Sequence, residues 1–225
     1  MSIEENLNKI KKNIPDNITL VAVSKTKPIE DINLAYKLGQ RDFGENKVQE
    51  LINKEEILPN DIRWHFIGNL QTNKVKYLVG KVYLIHSLSS IKLLKKIEDE
   101  FSKKNITANL LIQINIGKEE SKGGFFKEDL NNIIIEIEKC NNIKVKGLMA
   151  IIPKGTTEEN RFYFKEMKSI FDNLSDNTYK NISMDILSMG MTHDFEIAIE
   201  EGSNLVRIGE GIFGKRNVVG GLTNG

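Results

Sequence analysis

The chain has 225 residues, of which 40% are hydrophobic, 28% charged and 7% aromatic, and 32 Lys and Arg against 31 Asp and Glu leave a formal charge of +1. The hydrophobic share supports a buried core and excludes wholesale disorder, the near-neutral balance argues against a nucleic-acid binder, and no apolar run approaches the roughly 20 residues of a membrane span. The single cysteine, Cys140, has no partner for an internal disulfide, and the acidic start MSIEENLNKI lacks a secretory h-region, so a soluble cytoplasmic protein is expected.

An extra helix is expected over 3–12, ahead of a first β-branched run, ITLVAVS (18–24). In the helix pattern at 28–38, Pro28 suits the first turn, Ile32, Ala35 and Leu38 share a face, and Gly39 supplies a left-handed stop. A very short strand, RDF (41–43), comes next, then IRWHFI (62–67) and KVYLIHS (81–87). Ile91, Leu94, Ile97 and Phe101 follow a 3.6-residue period over 91–101, and TANLLIQINI (107–116) reads as another strand. Leu130, Ile133, Ile134 and Ile137 repeat the helical stripe before the strand KVKGLMAI (144–151). The clearest helix is 157–174, where Thr156 and Glu159 have capping-box spacing and Phe164, Met167, Phe171 and Leu174 form one core-facing stripe. ISMDILSM (182–189), a helix marked by Phe195, Ala198 and Ile199, and NLVRIG (204–209) complete the alternation.

These strands are rich in Val and Ile and mostly apolar on both faces, as parallel strands covered on both sides are. Eight strand candidates, each but the last followed by a helix, predict an α/β fold: a single (β/α)₈ TIM barrel with an extra N-terminal helix, one domain over residues 1–225.

Function in such barrels gathers at the C-terminal ends of the strands. There stand SKTKP with Lys25, FGENKVQE with Asn46, WHFIGNLQTNK with His65 and Gly68, SMGMTHD with Ser188, Gly190 and Thr192, and VRIGEGIFGKR with Arg207, Gly209 and Gly211. A lysine just past an apolar strand enters the barrel mouth, where desolvation disfavours the ammonium and a neutral amine can form a Schiff base. Position alone leaves a plain rim lysine as the alternative, with Lys27 a decoy two residues on. The loops after strands seven and eight commonly hold a phosphate on backbone N–H groups. Thr192 suits an N-cap, Ser188 and Thr192 add hydroxyls, and Gly190 permits close backbone approach. GEGIFG (209–214) matches a dinucleotide fingerprint in letters only, because no βαβ unit with its distant acid follows. His65, His86 and His193 lack metal-ligand spacing, so no metal site is expected, and His65 and His86 read as satisfied core or mouth histidines. Trp64 reads as a packing residue, and KEESKGGF (118–125) as a charged loop, a lid or a partner surface.

Seven blocks in one order, from VAVSKTKP, FGENKVQE and WHFIGNLQTNK through LIQINIGKEESKGGF and KGLMAI to DILSMGMTHDFEIAI and VRIGEGIFG, resemble the YggS/PROSC family of pyridoxal phosphate homeostasis proteins. The resemblance implies a fold-type III pyridoxal phosphate barrel, similar to the N-terminal domain of alanine racemase. It implies pyridoxal 5'-phosphate as cofactor, held as a Schiff base on Lys25, with Asn46 beside the pyridine ring and Arg207 facing the pyridine nitrogen. Ser188 and Thr192, with Gly209 and the backbone at Glu210, would cradle the phosphate. Thr192 stands where the family often has Ser, which keeps the hydroxyl. Glu210 replaces what is commonly a small neutral residue, and its carboxylate would repel a phosphate unless turned outward.

An arginine at the pyridine nitrogen cannot accept a proton, so it keeps the ring neutral and weakens its electron sink. The sequence stops just after the eighth strand, with no second domain to supply an opposing acid or base. The expectation is therefore no catalytic reaction but a protein that binds pyridoxal phosphate, keeps its intracellular level in balance and delivers it to apo-enzymes, as a monomer without nucleic-acid or membrane partners. The alternative is a small pyridoxal phosphate enzyme, an amino-acid racemase or lyase, with a mouth residue such as His65 as acid or base.

Overall fold

The computed structural model describes residues 2–119 and 122–215. Its strands are β1 (Thr19–Val23), β2 (Asp42–Glu45), β3 (Arg63–Phe66), β4 (Leu84–Leu88), β5 (Ala108–Ile114), β6 (Ile143–Ala150), β7 (Ile182–Ser188) and β8 (Leu205–Ile208). They pair in parallel in chain order, and β8 returns to β1 with Val21 opposite Arg207, closing the expected eight-stranded barrel. Closure removes every sheet edge. The run RDF is the start of a true strand, β2, paired with β1 and β3.

Each strand presents one side to the barrel axis and the other to the helices, so both sides are mostly apolar. Val21, Leu84, Leu111, Met149 and Leu205 form a separate apolar cluster within the barrel. A larger cluster between strands and helices includes Ala22, Phe43, Trp64, Phe66, Leu110 and Leu148. Trp64 is buried and its ring lies 6.0 Å from that of Phe43, a packing role. Each such side chain contributes roughly 1.5–3 kcal/mol on burial.

The helices are α1 (Ile3–Asn13), α2 (Ile29–Lys37), α3 (Val48–Glu55), α4 (Ile91–Ser102), α5 (Leu130–Glu138), α6 (Thr157–Ser175), α7 (Phe195–Glu200) and α8 (Glu210–Phe213). The Thr156–Glu159 capping box closes α6 as its spacing predicts, and Gly39 ends the α2 region at a φ of +85°. The extra helix α1 packs on α2 and α8, with Asn6 Nδ2 donating to the carbonyl of Ile212 at 3.1 Å. Two expectations change. The connection after β3 is a 3₁₀ turn, Thr72–Tyr77, not an α-helix, because the segment buries only Val75 and has no stripe to hold a longer helix against the barrel. Thr192 does not cap α7; Asp194 occupies the N-cap position, and its carboxylate accepts from the Met191 N–H at 2.6 Å.

Candidate functional site

At the C-terminal ends of the strands lies a cavity of about 280 Å³ lined by six of the seven residues singled out in sequence: Lys25, Asn46, Thr192, Arg207, Gly209 and Glu210. A neighbouring cavity of about 300 Å³ shares Lys25, Asn46, Ile67 and Ile151 with it and extends to Asn69, Gln113 and Asn115. Lys25 and Asn46 therefore stand on the boundary between two lobes.

Lys25 follows β1 by two positions, and the turn that carries it is strained and braced. Thr26 has a φ of +63°, a left-handed conformation that costs an L residue about 1–2 kcal/mol. Its N–H donates to Glu50 Oε1 of α3 at 2.6 Å. The same carboxylate accepts from Lys54 Nζ at 2.7 Å, and Lys54 also donates to Glu45 Oε1 at 2.8 Å and to the carbonyl of Ser24 at 2.9 Å. The Ser24 hydroxyl donates to Glu45 Oε1 at 2.6 Å. Glu45 is fully buried and Lys54 only 5% exposed, so this is a charged knot behind the strand rather than a surface pair. Burial pushes the Glu45 carboxyl upward, and the Lys54 ammonium partly offsets that shift. Local strain held by surrounding structure is a recurring feature of functional turns. Lys27 lines the same cavity, but its ammonium donates to the carbonyls of Phe213 (2.8 Å) and Gly214 (3.2 Å) at the end of α8.

Asn46 leaves β2 beside this turn. Its Oδ1 is buried without a hydrogen-bond partner, an acceptor awaiting a donor. Gly68 is obligatory opposite it, since a Cβ there would lie 2.2 Å from the carbonyl oxygen of Asn46.

The facing wall comes from β7, β8 and α8. Arg207 is 4% exposed, donates from one terminal nitrogen to Ser188 Oγ at 2.5 Å and from the other to the carbonyl of Ala150 at 2.9 Å. Burial lowers its pKa to about 10, with Asp194 working in the opposite direction, so the guanidinium is charged at neutral pH. A buried cation whose hydrogen-bond partners are both neutral gains by meeting an electron-rich ligand atom. Thr192 Oγ1 accepts from the Gly211 N–H at 3.3 Å and ties the loop after β7 to α8. Gly209 lets the end of β8 lie against β1, where a Cβ would come 3.1 Å from the carbonyl of Val23. Glu210 is exposed and also lines the cavity.

Of the seven residues that the resemblance assigns to the cofactor, Ser188 alone does not line this cavity. It is fully buried on β7, one layer below, and touches the site only through Arg207. Gly190, at a φ of +92°, makes room for α7, since a Cβ would lie 2.6 Å from that of Ala198. The segment 118–125 is tethered across the second lobe: Asn115 Nδ2 donates to the carbonyls of Glu119 and Lys122, each at 2.9 Å, while Glu120 and Ser121 lie outside the described residues. Sequence reasoning missed Glu45, Glu50 and Lys54. The only trace of them was two acids in FGENKVQE at the end of a short strand.

The arrangement joins an amine at a barrel mouth, a buried guanidinium across from it, and hydroxyl and backbone groups at the strand ends. The model of the alanine racemase N-terminal domain matches residues 1–217. The pyridoxal phosphate homeostasis protein of Aquifex aeolicus is 47% identical over 199 residues, covering 88% of this chain and 86% of that protein. The structure of PipY from Synechococcus elongatus, solved without and with PLP bound, superposes with TM-scores of 0.89 and 0.86 at 32% identity, covering 95% of this chain and all of that one. An alanine racemase of Clostridium difficile, 18% identical with a TM-score of 0.79, shares the fold over 96% of this chain and 57% of its own. The chain belongs to the alanine racemase N-terminal domain family and, within it, to the pyridoxal phosphate homeostasis proteins.

Proposed function

We propose that this protein binds pyridoxal 5'-phosphate reversibly as a Schiff base on Lys25, holds it in the intracellular pool and hands it to apo-enzymes. The observation that carries the reading is the cavity that gathers Lys25, Asn46, Thr192, Arg207, Gly209 and Glu210 at one barrel mouth. The fit is chemical as well as spatial. The orphaned Asn46 Oδ1 awaits a donor, and Arg207 supplies a donor where the pyridine nitrogen offers a lone pair. Thr192 and the backbone at Gly209 and Glu210 suit a phosphate. Ser188 serves by orienting Arg207 rather than by touching the phosphate.

Bound pyridoxal phosphate supplies an aldehyde that condenses reversibly with amines and a ring that can withdraw electrons. Lys25 supplies the amine. Arg207, charged at neutral pH, has no lone pair for a proton and holds the ring nitrogen unprotonated, which favours storage over turnover. The same reading takes residues 1–225 as a single binding domain, monomeric and cytoplasmic; no helix among the described residues is long and apolar enough to cross a membrane.

The test is borohydride reduction of protein loaded with pyridoxal phosphate, followed by peptide mass analysis, beside assays of transfer to an apo-enzyme and of amino-acid turnover. A pyridoxyl group on Lys25, transfer to the acceptor and no turnover are expected. Racemase or lyase turnover abolished by Lys25→Ala would replace this function with an enzymatic one.

A further inference from the structure

A single file of buried polar groups crosses the barrel interior from one mouth to the other. At the N-terminal mouth, Arg63 donates to both oxygens of Asp42, at 2.7 and 2.5 Å. Asp42 Oδ1 lies 3.0 Å from His65 Nε2, His65 Nδ1 lies 2.9 Å from His86 Nε2, and His86 Nδ1 lies 3.1 Å from Ser188 Oγ. Ser188 accepts from Arg207, which lines the cofactor cavity. His65 and Ser188 are at most 1% exposed and His86 is fully buried. A small cavity of about 200 Å³, lined by Thr19, Asp42, Arg63, His65 and Tyr83 among others, lies at the Asp42 end.

Donor arithmetic fixes the sense of this file. An ionised carboxylate only accepts, so His65 carries a proton on Nε2. If His65 is neutral, its Nδ1 accepts, His86 donates from Nε2, and His86 Nδ1 must in turn accept the hydroxyl proton of Ser188. The Ser188 lone pairs are then left wholly to Arg207. The alternative state holds one more proton, taken from solvent. His65 Nδ1 gains the proton that His86 Nε2 gives up, and His86 Nδ1 takes the Ser188 hydroxyl proton, which the solvent proton then replaces. His86 now donates to Ser188, which shares its lone pairs between two donors and keeps a hydrogen with no acceptor. Burial and the nearby charges of His65 and Arg207 oppose a charge on His86 itself, while the contact with Asp42 places a carboxylate beside His65.

We propose that Asp42 and His65 are positioning residues for the cofactor cavity: they set the direction of the hydrogen-bond file that holds Arg207, and one proton taken up at His65 reverses it. The groups facing His65 are Asp42 of β2, Arg63 of β3, His86 of β4 and the Tyr83 ring 5.5 Å away; those facing His86 are His65, Ser188 of β7 and Arg207 of β8. Thr19 and Leu205 contribute no charge on the remaining sides. The polarity of the file stands on these contacts alone; its effect on cofactor rests on the function proposed above.

Two measurements separate those claims. In cofactor-free protein with ¹⁵N-labelled histidine, assigned through His65→Gln and His86→Gln, NMR at about pH 8 should show His86 protonated on Nε2 and bare on Nδ1. On acidification His86 should invert in the same step in which His65 gains its second proton, and Asp42→Asn should move that step to lower pH. A His86 protonated on Nδ1 at the higher pH overturns the polarity, and one that never inverts before acid unfolding overturns the switch. Should Asp42→Asn fail to fold, the unsubstituted protein decides alone. For the effect on the cavity, pyridoxine 5'-phosphate is the probe, since it forms no imine. The ratio of wild-type to Asp42→Asn affinity should change by about threefold or more across the inversion. A ratio that stays constant while the tautomers invert denies Asp42 and His65 their positioning role without touching the binding function.

Discussion

The two walls of the cofactor cavity are built on opposite electrostatic plans. Behind Lys25, the β1–β2–α3 wall is braced by a buried charged knot of Glu45, Lys54 and the half-buried Glu50, which holds the strained Thr26 turn. Across the cavity, the β7–β8 wall braces Arg207 with a hydroxyl and a carbonyl and offers hydroxyl and backbone groups. Under the function proposed above, the difference follows from what each wall would hold. A covalent partner demands an amine in one place, and a charged knot resists displacement because any one member removed leaves another buried and uncompensated. A phosphate and a ring nitrogen call for donors free of competing carboxylates, and on this wall Arg207 hydrogen-bonds a hydroxyl and a carbonyl, with Asp194 acting on it through charge alone.

Lys25→Ala should erase the difference most completely. Reduced, cofactor-loaded protein is expected to show no pyridoxyl mass increment, with thermal unfolding close to that of the unsubstituted chain, because residue 25 is only half-buried and lies beyond the strand. Next in size is Lys54→Met, which leaves Glu45 buried without its cation. Urea unfolding should show a loss of about 3–5 kcal/mol. Its pH dependence has a definite sign. Glu45 already has a raised pKa in the folded state, and loss of Lys54 raises it further, so the penalty is absent below the ordinary carboxylate range and grows as pH rises through the folded value. The variant should therefore come closest to the unsubstituted protein in mild acid, and a deficit that is largest there would refute the knot.

Arg207→Gln probes the other wall. It removes a charge-assisted bond worth about 1.5–3 kcal/mol and should weaken pyridoxine 5'-phosphate about tenfold or more, measured by calorimetry. Ser188→Ala should act in the same direction but less strongly, since it strips an acceptor from Arg207 without touching ligand.

How much of this was legible in sequence differs between the walls for the same physical reason. The strands could be read because parallel strands bury both faces, and runs such as LVAV and LLIQI admit no other environment. Lys25 and the glycines were legible from their place just past those runs. Glu45 and Lys54 were not, because a charged residue is written in the same letters whether it faces solvent or a buried partner, and only the docking of α3 on the back of β2 decides which. Ser188 shows the limit of motif reading: SMGMT puts it two letters from Gly190, yet strand geometry sends it into the barrel layer below, where Arg207 covers it. His65 and His86 were read as satisfied core or mouth histidines, and their mutual bond of 2.9 Å is what satisfies them. The helix expected after β3 failed because alternation of elements was extrapolated over a segment that buries a single side chain.

The smallest expected effect is the most specific. Thr192 Oγ1 already accepts the Gly211 N–H, so its own hydrogen remains to be given to a phosphate oxygen. Thr192→Val keeps the volume and removes that hydrogen. A neutral hydrogen bond is worth about 0.5–1.5 kcal/mol, so affinity for pyridoxal phosphate should fall roughly two- to tenfold. Affinity for pyridoxal, which has no phosphate, should hardly change, and Thr192→Ser should restore the phosphate preference. The Gly211 N–H released by the valine belongs to the partly exposed start of α8, where water can replace the lost acceptor, so the barrel keeps its stability. An equal loss for both vitamers would mean that Thr192 acts by shaping the loop after β7 rather than by touching the phosphate, and the neutral wall would then depend on backbone groups alone.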